Sequence, residues 1–406
     1  MPLHIVSFNV PYPADYGGVI DVYHRIRALH NLGVDIHLHT FTYGRNPAPK
    51  LEALCSEVTY YPRRTGLISA ISRKPYIVRS RQNSQLIDDL SNDNDPILLE
   101  GLHCCSVLET LTPYTNTPYT NPRTILVRAH NVEHEYYDRL ADAEKRPLRR
   151  LYLRTDARRL RRYEPILLKA TAVLAVTESD ADHFRSIGCR NVVLMPSSHP
   201  DDHVTSIPSP FSVLSPSKLE GVVEDRGRVS RSPFSVPRSP FPYALYHADL
   251  SVPENIQTIK YLAQNILPNT DTPFVVAGRN PSTQITALLA PFPNVTLVPN
   301  PDDDTMHALI RNAQVLLLLT AQPTGLKLKL LNSLYAGRHC LVNSAMVAGT
   351  PLGQLCTVAD SADLQLQALH TLMQTPFTKH DIDRRSALLG TLYSNDSNAR
   401  ILISLL

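Results

Sequence analysis

Wholly apolar runs alternate along this chain with stretches in which apolar residues recur at helical spacing. Val315 to Leu319 is such a run, closed by turn residues, and predicts a buried parallel strand. Behind it Leu326, Leu330, Leu331 and Leu334 share one helical face, with Thr324 placed as an N-cap and Gly337 as the stop. The chain opens in the same way. His4 to Val10 predicts a strand and Pro11 to Gly18 a turn. Val19, Val22, Ile26 and Leu29 then line a helix that ends at Gly33, and Asp35 to Phe41 resumes a strand.

Further strands are predicted at 58–61, 96–102, 124–129, 172–177 and 192–196, and then at 243–247, 274–280, 295–298 and 339–342. Strands alternating with helices predict α/β units with parallel sheets, whose ligand groups gather at the carboxyl ends of the strands. A chain of 406 residues exceeds one ordinary core. The boundaries that follow are 1–198 and 243–388 for two doubly wound domains, with a helical stretch over 389–406 that crosses back onto the first. Between them, 199–242 is rich in Ser and Pro and repeats Ser209-Pro210-Phe211-Ser212-Val213 as Ser232-Pro233-Phe234-Ser235-Val236. This composition predicts a disordered insertion.

Composition narrows the classes. A formal charge of +3 gives no reason to expect nucleic acid. No apolar run approaches a membrane span, and the start leads straight into a strand rather than a leader. Six cysteines form no paired CxxC pattern, which fits a reducing, cytoplasmic setting. Residues 144–169 predict one long Arg-dense helix with Leu148, Leu151, Leu160 and Tyr163 buried. Its basic face over 144–162 is either a solvated surface or a peripheral contact with anionic membrane.

The candidate chemistry sits at strand ends. Lys327, expected in the first turn of the 324–337 helix, and the free amides there suit a phosphate, although an ordinary strand–helix connection explains the pattern as well. Gly17 and Gly18 let a ligand reach the backbone, without the spacing of a dinucleotide fingerprint, and a plain tight turn explains them too. His130, Glu133 and His134 follow the 124–129 strand, where a binding or catalytic imidazole is expected, or else a helix start capped by Asn131. His103 follows another strand end. Arg279 closes the 274–280 strand as a phosphate contact. Asp302 to Asp304 read as an acidic helix start, so no metal site is expected.

The stretch Thr324-Gly325-Leu326-Lys327-Leu328-Lys329-Leu330-Leu331, with His130-Asn131-Val132-Glu133-His134 and the Gly17-Gly18 loop, resembles the GT-B glycosyltransferases, family 4-like. The resemblance implies two Rossmann-like domains facing a cleft, with the first on the acceptor side and the second holding a nucleotide-diphosphate sugar (GDP- or UDP-sugar). It implies transfer of a hexose, mannose among the candidates, with retention and without cofactor or metal, to a glycan or lipid-linked acceptor in polysaccharide synthesis. His130 would face the transferred sugar, with His103, Glu133 and His134 on the acceptor side. Family members carry two Glu on the donor helix; Thr324 and Asn332 stand in their places here. Gln322, Leu326 and Asn332 join Gly17, Gly18, Arg279, Thr324, Gly325 and Lys327 as donor-side residues. A binding protein on the same fold, a sugar-nucleotide epimerase or hydrolase, and a scaffold built on the Ser-Pro segment are the alternatives.

Overall fold

The computed structural model describes residues 1–66, 72–111, 122–200, 203–209, 242–322 and 326–406. Contacts divide the chain into two compact units. Met1–Pro200 with Leu326 and Thr391–Leu406 makes one; the described residues of 203–322 with Lys327–Gly390 make the other.

The first unit holds β1 (Pro2–Ser7), β2 (Asp35–Thr42), β3 (Glu57–Pro62), β4 (Ile97–Glu100), β5 (Ile125–Ala129), β6 (Ala172–Ala175) and β7 (Val192–Leu194). They form one sheet in the order β3-β2-β1-β4-β5-β6-β7, and every pairing is parallel. The second unit holds β8 (Ala244–Asp249), β9 (Phe274–Arg279), β10 (Val295–Pro299), β11 (Val315–Leu318), β12 (His339–Val342) and a short β13 (Thr357–Val358), in the parallel order β10-β9-β8-β11-β12-β13. Chain direction across the first sheet reverses between β1 and β4, and across the second between β8 and β11. Those reversals open crevices at the carboxyl edge, where doubly wound sheets take their ligands. Helices cover both faces of such sheets, which is why β4, β6 and β11 are buried at every position.

The main helices are α1 (Gly17–Asn31), α2 (Ser84–Leu90), α3 (Glu133–Ala143), α4 (Pro147–Tyr163), α5 (Glu178–Ser186), α6 (Pro253–Tyr261), α7 (Thr283–Leu289), α8 (Asp303–Asn312), α9 (Leu328–Ala336), α10 (Ala362–Gln374), α11 (Lys379–Leu392) and α12 (Asn395–Ile403). The last of these packs on α1 and adds Ala399 and Leu402 to the core of the first unit.

Three details differ from the reading of the sequence. The helix expected over 144–169 runs only over Pro147–Tyr163, and a 3-10 turn follows at Glu164–Lys169. It pairs with α3, as Arg154 to Asp142 (2.6 Å) and Arg161 to Asp138 (3.3 Å) show. Asp156, Ala157 and Leu160 are its buried residues, so Leu148 is 83% exposed and Leu151 62%. Apolar spacing marks a face but not whether a neighbour covers it.

The helix expected over 324–337 begins at Leu328 rather than Thr324. Lys327 has extended backbone at the N-cap position, which places Lys329 in the first turn instead. The 199–242 segment is packed where it is described: His199 is buried against the Tyr393 carbonyl (2.8 Å) and Asn395. The Thr205 and Ser206 amides donate to the Tyr335 carbonyl at 2.7 and 3.1 Å, and Ser209 Oγ donates to Gln314. The rest of that segment, 201–202 and 210–241, lies outside the described residues.

Candidate functional site

In the first unit the carboxyl ends of β1, β4 and β5 enclose five ionisable side chains. Asp21 and Arg25 stand one turn apart on α1 and pair at 2.5 Å. Glu100 ends β4 and takes the other side of Arg25. Arg128, inside β5, donates Nε to Asp21 at 3.1 Å and a second N–H to the Met195 carbonyl. The Ser198 amide donates to Asp21 at 2.6 Å. Asp21, Arg25, Glu100 and Arg128 are all buried, so each charge must be matched by another. Burial raises the pKa of Asp21, but Arg128 and Arg25 outweigh it and hold the carboxyl well below its usual value. Glu100 is likewise held down by Arg25 against the effect of burial.

His130 closes this cluster. Its Nδ1 faces Asp21 at 3.3 Å and its Nε2 faces Glu100 at 2.9 Å. Burial lowers the imidazole pKa, but hydrogen bonds to Asp21 and Glu100 prevail and raise it above the ordinary value. With a carboxylate at each ring nitrogen, the imidazolium is the form that satisfies both. His130 is therefore a fixed cation rather than a base in waiting.

Around it the neighbours are specific. Phe8 lies 5.5 Å from the His130 ring and 5.1 Å from that of His103. A Cβ on Gly18 would stand 2.8 Å from Phe8 Cζ, so the bare backbone there is required by the aromatic ring beneath it. Gly101 takes a positive φ of 78° to turn β4 toward His103. Burial, with Arg81, His130 and Arg63 nearby, pushes His103 well below its ordinary value and keeps it neutral. Arg81 is buried, donating to the carbonyls of Phe8 and Ile77 at 2.7 Å each, and burial lowers it to about 10. Glu133 opens α3 beside these groups. Burial raises its pKa to about 7, against the pull of His130 and Arg81, and its carboxyl makes no hydrogen bond among the described residues.

His134 points elsewhere. Its Nδ1 meets Glu164 at 3.3 Å, and His183 Nε2 meets the other oxygen of the same carboxylate at 2.8 Å. The three ligand-type atoms lie within 4.8 Å of one another, and the carboxylate already pairs with both rings. Glu133 and His134 thus separate into different neighbourhoods, because adjacent residues at a helix start face different directions. Val132, not Asn131, occupies the N-cap of α3.

The second unit presents its own carboxyl edge. Arg279 ends β9 opposite Asp249 of β8, half exposed, with a 3.6 Å contact to the exposed Asp303. Lys329 turns inward: its Nζ is 3.3 Å from the Leu319 carbonyl, 3.5 Å from Asn255 Oδ1 and 5.7 Å from the centre of the Tyr246 ring. Burial lowers its pKa, with Glu254 opposing. As a replacement for a phosphate-binding lysine, Lys329 is committed to the fold. His247 bonds Ser333 at 2.9 Å, and burial with Lys329 lowers it to about 3. Thr320, just past β11, donates to Glu254 at the start of α6 and exchanges hydrogen bonds with Asn343. Asn332 Oδ1 on α9 is buried without a hydrogen-bond partner. Gln322 is part-buried, as is Leu326, which belongs to the first unit, and Pro323, Thr324 and Gly325 lie outside the described residues.

Sequence reasoning did not single out Asp21, Arg25, Arg81, Arg128 or Glu254. Asp21 and Arg25 stood one helical turn apart in plain view, but a helix surface pair looks the same.

Two doubly wound units of parallel strands, seven and six, define the GT-B fold. Solved structures agree over the full length. A glycosyltransferase from Rickettsia africae superposes with a TM-score of 0.60 at 12% identity, covering 100% of this chain and 97% of that one. The lipopolysaccharide outer core galactosyltransferase WaaB gives 0.59 at 13%, covering 100% of both. Anabaena HepE in complex with UDP-glucose gives 0.54 at 11%, covering 99% of this chain and 94% of that one. In sequence, an uncharacterized 44.6 kDa protein in the cps region of Klebsiella pneumoniae is 31% identical over 156 residues, which is 36% of this chain and 38% of that protein. The matched segment therefore spans well under half of the relative. No family model matches. Among the described residues, no helix is long and apolar enough to cross a membrane.

Proposed function

We propose that this protein is a glycosyltransferase that moves a sugar from a nucleotide-diphosphate donor to a glycan or lipid-linked acceptor. The observation that carries the reading is the part-buried His130 imidazolium at the first switch point, with the unpaired Glu133 carboxyl beside it. A sugar leaving diphosphate becomes oxocarbenium-like while negative charge grows on the phosphate. Fixed cations and amides stabilise that charge without reorganising. In the second unit Arg279 and Lys327, with the α9 amides, would take the diphosphate. The orphaned Asn332 carbonyl would accept a ribose hydroxyl. Glu254 would supply the carboxylate for sugar hydroxyls that the donor helix lacks. HepE is a structural neighbour seen with UDP-glucose, which favours a UDP-sugar as the first donor to try.

His130 would act through its charge, since both nitrogens are engaged. Glu133, half protonated near neutrality, and His103 would meet the acceptor hydroxyl. Outcome at the anomeric carbon would be retention. Lipid-linked acceptors fit Leu148 and Leu151, which stand exposed among Arg146, Arg149 and Arg150 on α4 and suit an anionic membrane face. A binding protein that has lost catalysis is the second reading, favoured by Thr324 and Asn332 in place of the Glu pair.

Calorimetric titration with UDP- and GDP-sugars tests the first step, and nucleotide release with and without acceptor glycans tests the second. Micromolar binding with acceptor-dependent release is expected. Binding without release selects the second reading, and no binding to any nucleotide-sugar refutes both.

A further inference from the structure

Strands β12 and β13 pair in parallel, with Leu341 opposite Thr357 and Val342 opposite Val358. One position back stand Cys340, on β12, and Cys356, whose extended backbone leads directly into β13. Paired positions of neighbouring strands point to the same face. Neighbouring strands run roughly 4.8 Å apart, within the roughly 4.4–6.8 Å between Cα atoms that a disulfide spans. Both cysteines are free, Cys340 buried and Cys356 part-buried. They line a cavity of about 130 Å³ together with His339, Gln354, Asp381 and Arg385. That space admits a few water-sized molecules.

The buried guanidinium of Arg385 faces this pair. It donates to the carbonyls of Leu334 (3.1 Å), Gly337 (2.6 Å) and Arg338, to Ser206 Oγ at 3.2 Å, and to Cys340 Sγ at 3.8 Å. Phe377 lies under it at 4.6 Å. Among the described residues no carboxylate forms an ion pair with it. A buried cation held by neutral carbonyls favours an anion beside it; Asp381 acts on it from the same cavity, and the Cys340 sulfur is the acidic group it donates to. The Cys356 S–H and then Arg385 draw the Cys340 thiol below its ordinary value, against burial. Hydrogen bonding to Cys340 and burial push Cys356 the other way. Cys55, Cys104, Cys105 and Cys189 are buried too, but burial raises all four thiols, to about 12 for Cys55 and Cys104.

We propose that Cys340 and Cys356 are a peroxide-reactive dithiol that closes reversibly to a disulfide at the edge of the second sheet. The Cys340 thiolate attacks one oxygen of hydrogen peroxide, the O–O bond breaks, and the departing hydroxide takes up a proton as water. Cys340 is then a sulfenic acid. Cys356 sulfur attacks that sulfur, the S–O bond breaks, and hydroxide leaves with the Cys356 proton as a second water. Two thiols and one peroxide give one disulfide and two waters, so sulfur is oxidised and peroxide reduced. Arg385 loses its thiolate neighbour in the process. Because it also holds the Leu334 and Gly337 carbonyls at the carboxyl end of α9, the change reaches the helix whose other end lies on the donor side.

The test uses the full, undenatured chain with low equivalents of hydrogen peroxide, alkylation of remaining thiols, and peptide mapping. Two of the six thiols are expected to disappear, joined in one Cys340–Cys356 linked peptide that dithiothreitol reverses. In Cys356→Ser, dimedone should trap a sulfenic acid at Cys340. In Cys340→Ser, Cys356 should resist the same dose. Equal loss across all six thiols, or oxidation of Cys356 that is unchanged in Cys340→Ser, overturns the proposal. The wild-type linkage map needs no variant, so a substitution that folds badly does not remove the test.

Discussion

Replacing Asp21 by Asn tests the buried cluster most directly. The amide keeps the shape of the side chain, and its Oδ1 still accepts the Ser198 N–H that lies 2.6 Å away in the native protein. What it removes is the negative charge shared by Arg25, Arg128 and His130. Three cations now balanced by two carboxylates would be left with Glu100 alone, among buried side chains. Removing one member of a buried pair costs about 3–5 kcal/mol. For a unit of this size each kcal/mol moves the melting midpoint by roughly 2–4 °C, so a drop of roughly 6–20 °C is expected. Scanning calorimetry would show it in the transition of the first unit, with that of the second unit unmoved. His130 should also titrate lower by NMR once its Asp21 hydrogen bond weakens. A loss below about 1 kcal/mol, with His130 unchanged, would show that Asp21 does not carry the charge assigned to it.

The remaining predictions address separate parts of the molecule. Glu133 has its folded pKa raised to about 7. It therefore contributes stability that is full below the unfolded value of about 4.3 and is lost as pH rises through 7, on the order of 3–4 kcal/mol at most. Glu133→Gln should flatten urea-derived stability between about pH 4 and 7, and parallel profiles for the two proteins would refute the assignment. Lys327→Ala should weaken nucleotide-sugar binding by about tenfold or more, a loss of roughly 1.5–3 kcal/mol measured by calorimetric titration. Equal affinity would remove Lys327 from the donor site. Leu148→Ser with Leu151→Ser should leave the melting midpoint within about 0.5 kcal/mol of native, as exposed positions do. The same double change should reduce co-sedimentation with phosphatidylglycerol vesicles; unaltered sedimentation would discard α4 as the contact.

The elements of the fold were legible because they are local. Uninterrupted apolar runs such as Val315–Leu318 specify doubly buried strands, and the twelve strands expected from them are present, with β13 added. The position of His130 at a strand end was legible for the same reason. Its protonation was not, since that depends on Asp21 and Glu100, which arrive from other elements. Lys329 reads as a surface lysine until the Tyr246 ring and the Leu319 carbonyl draw it inward. Leu148 reads as core until α3 is seen to cover a different face of α4.

The division has one physical cause. Hydrophobic period and turn chemistry act over a few residues, so the chain alone determines strands, helices and the carboxyl-edge crevices they make. Charge is balanced across space: Asp21 meets Arg128 from 107 positions away and the Ser198 amide from 177. Which ionisable groups are paired, which are left open to a ligand, and which cysteines face each other were decided only when the sheets closed.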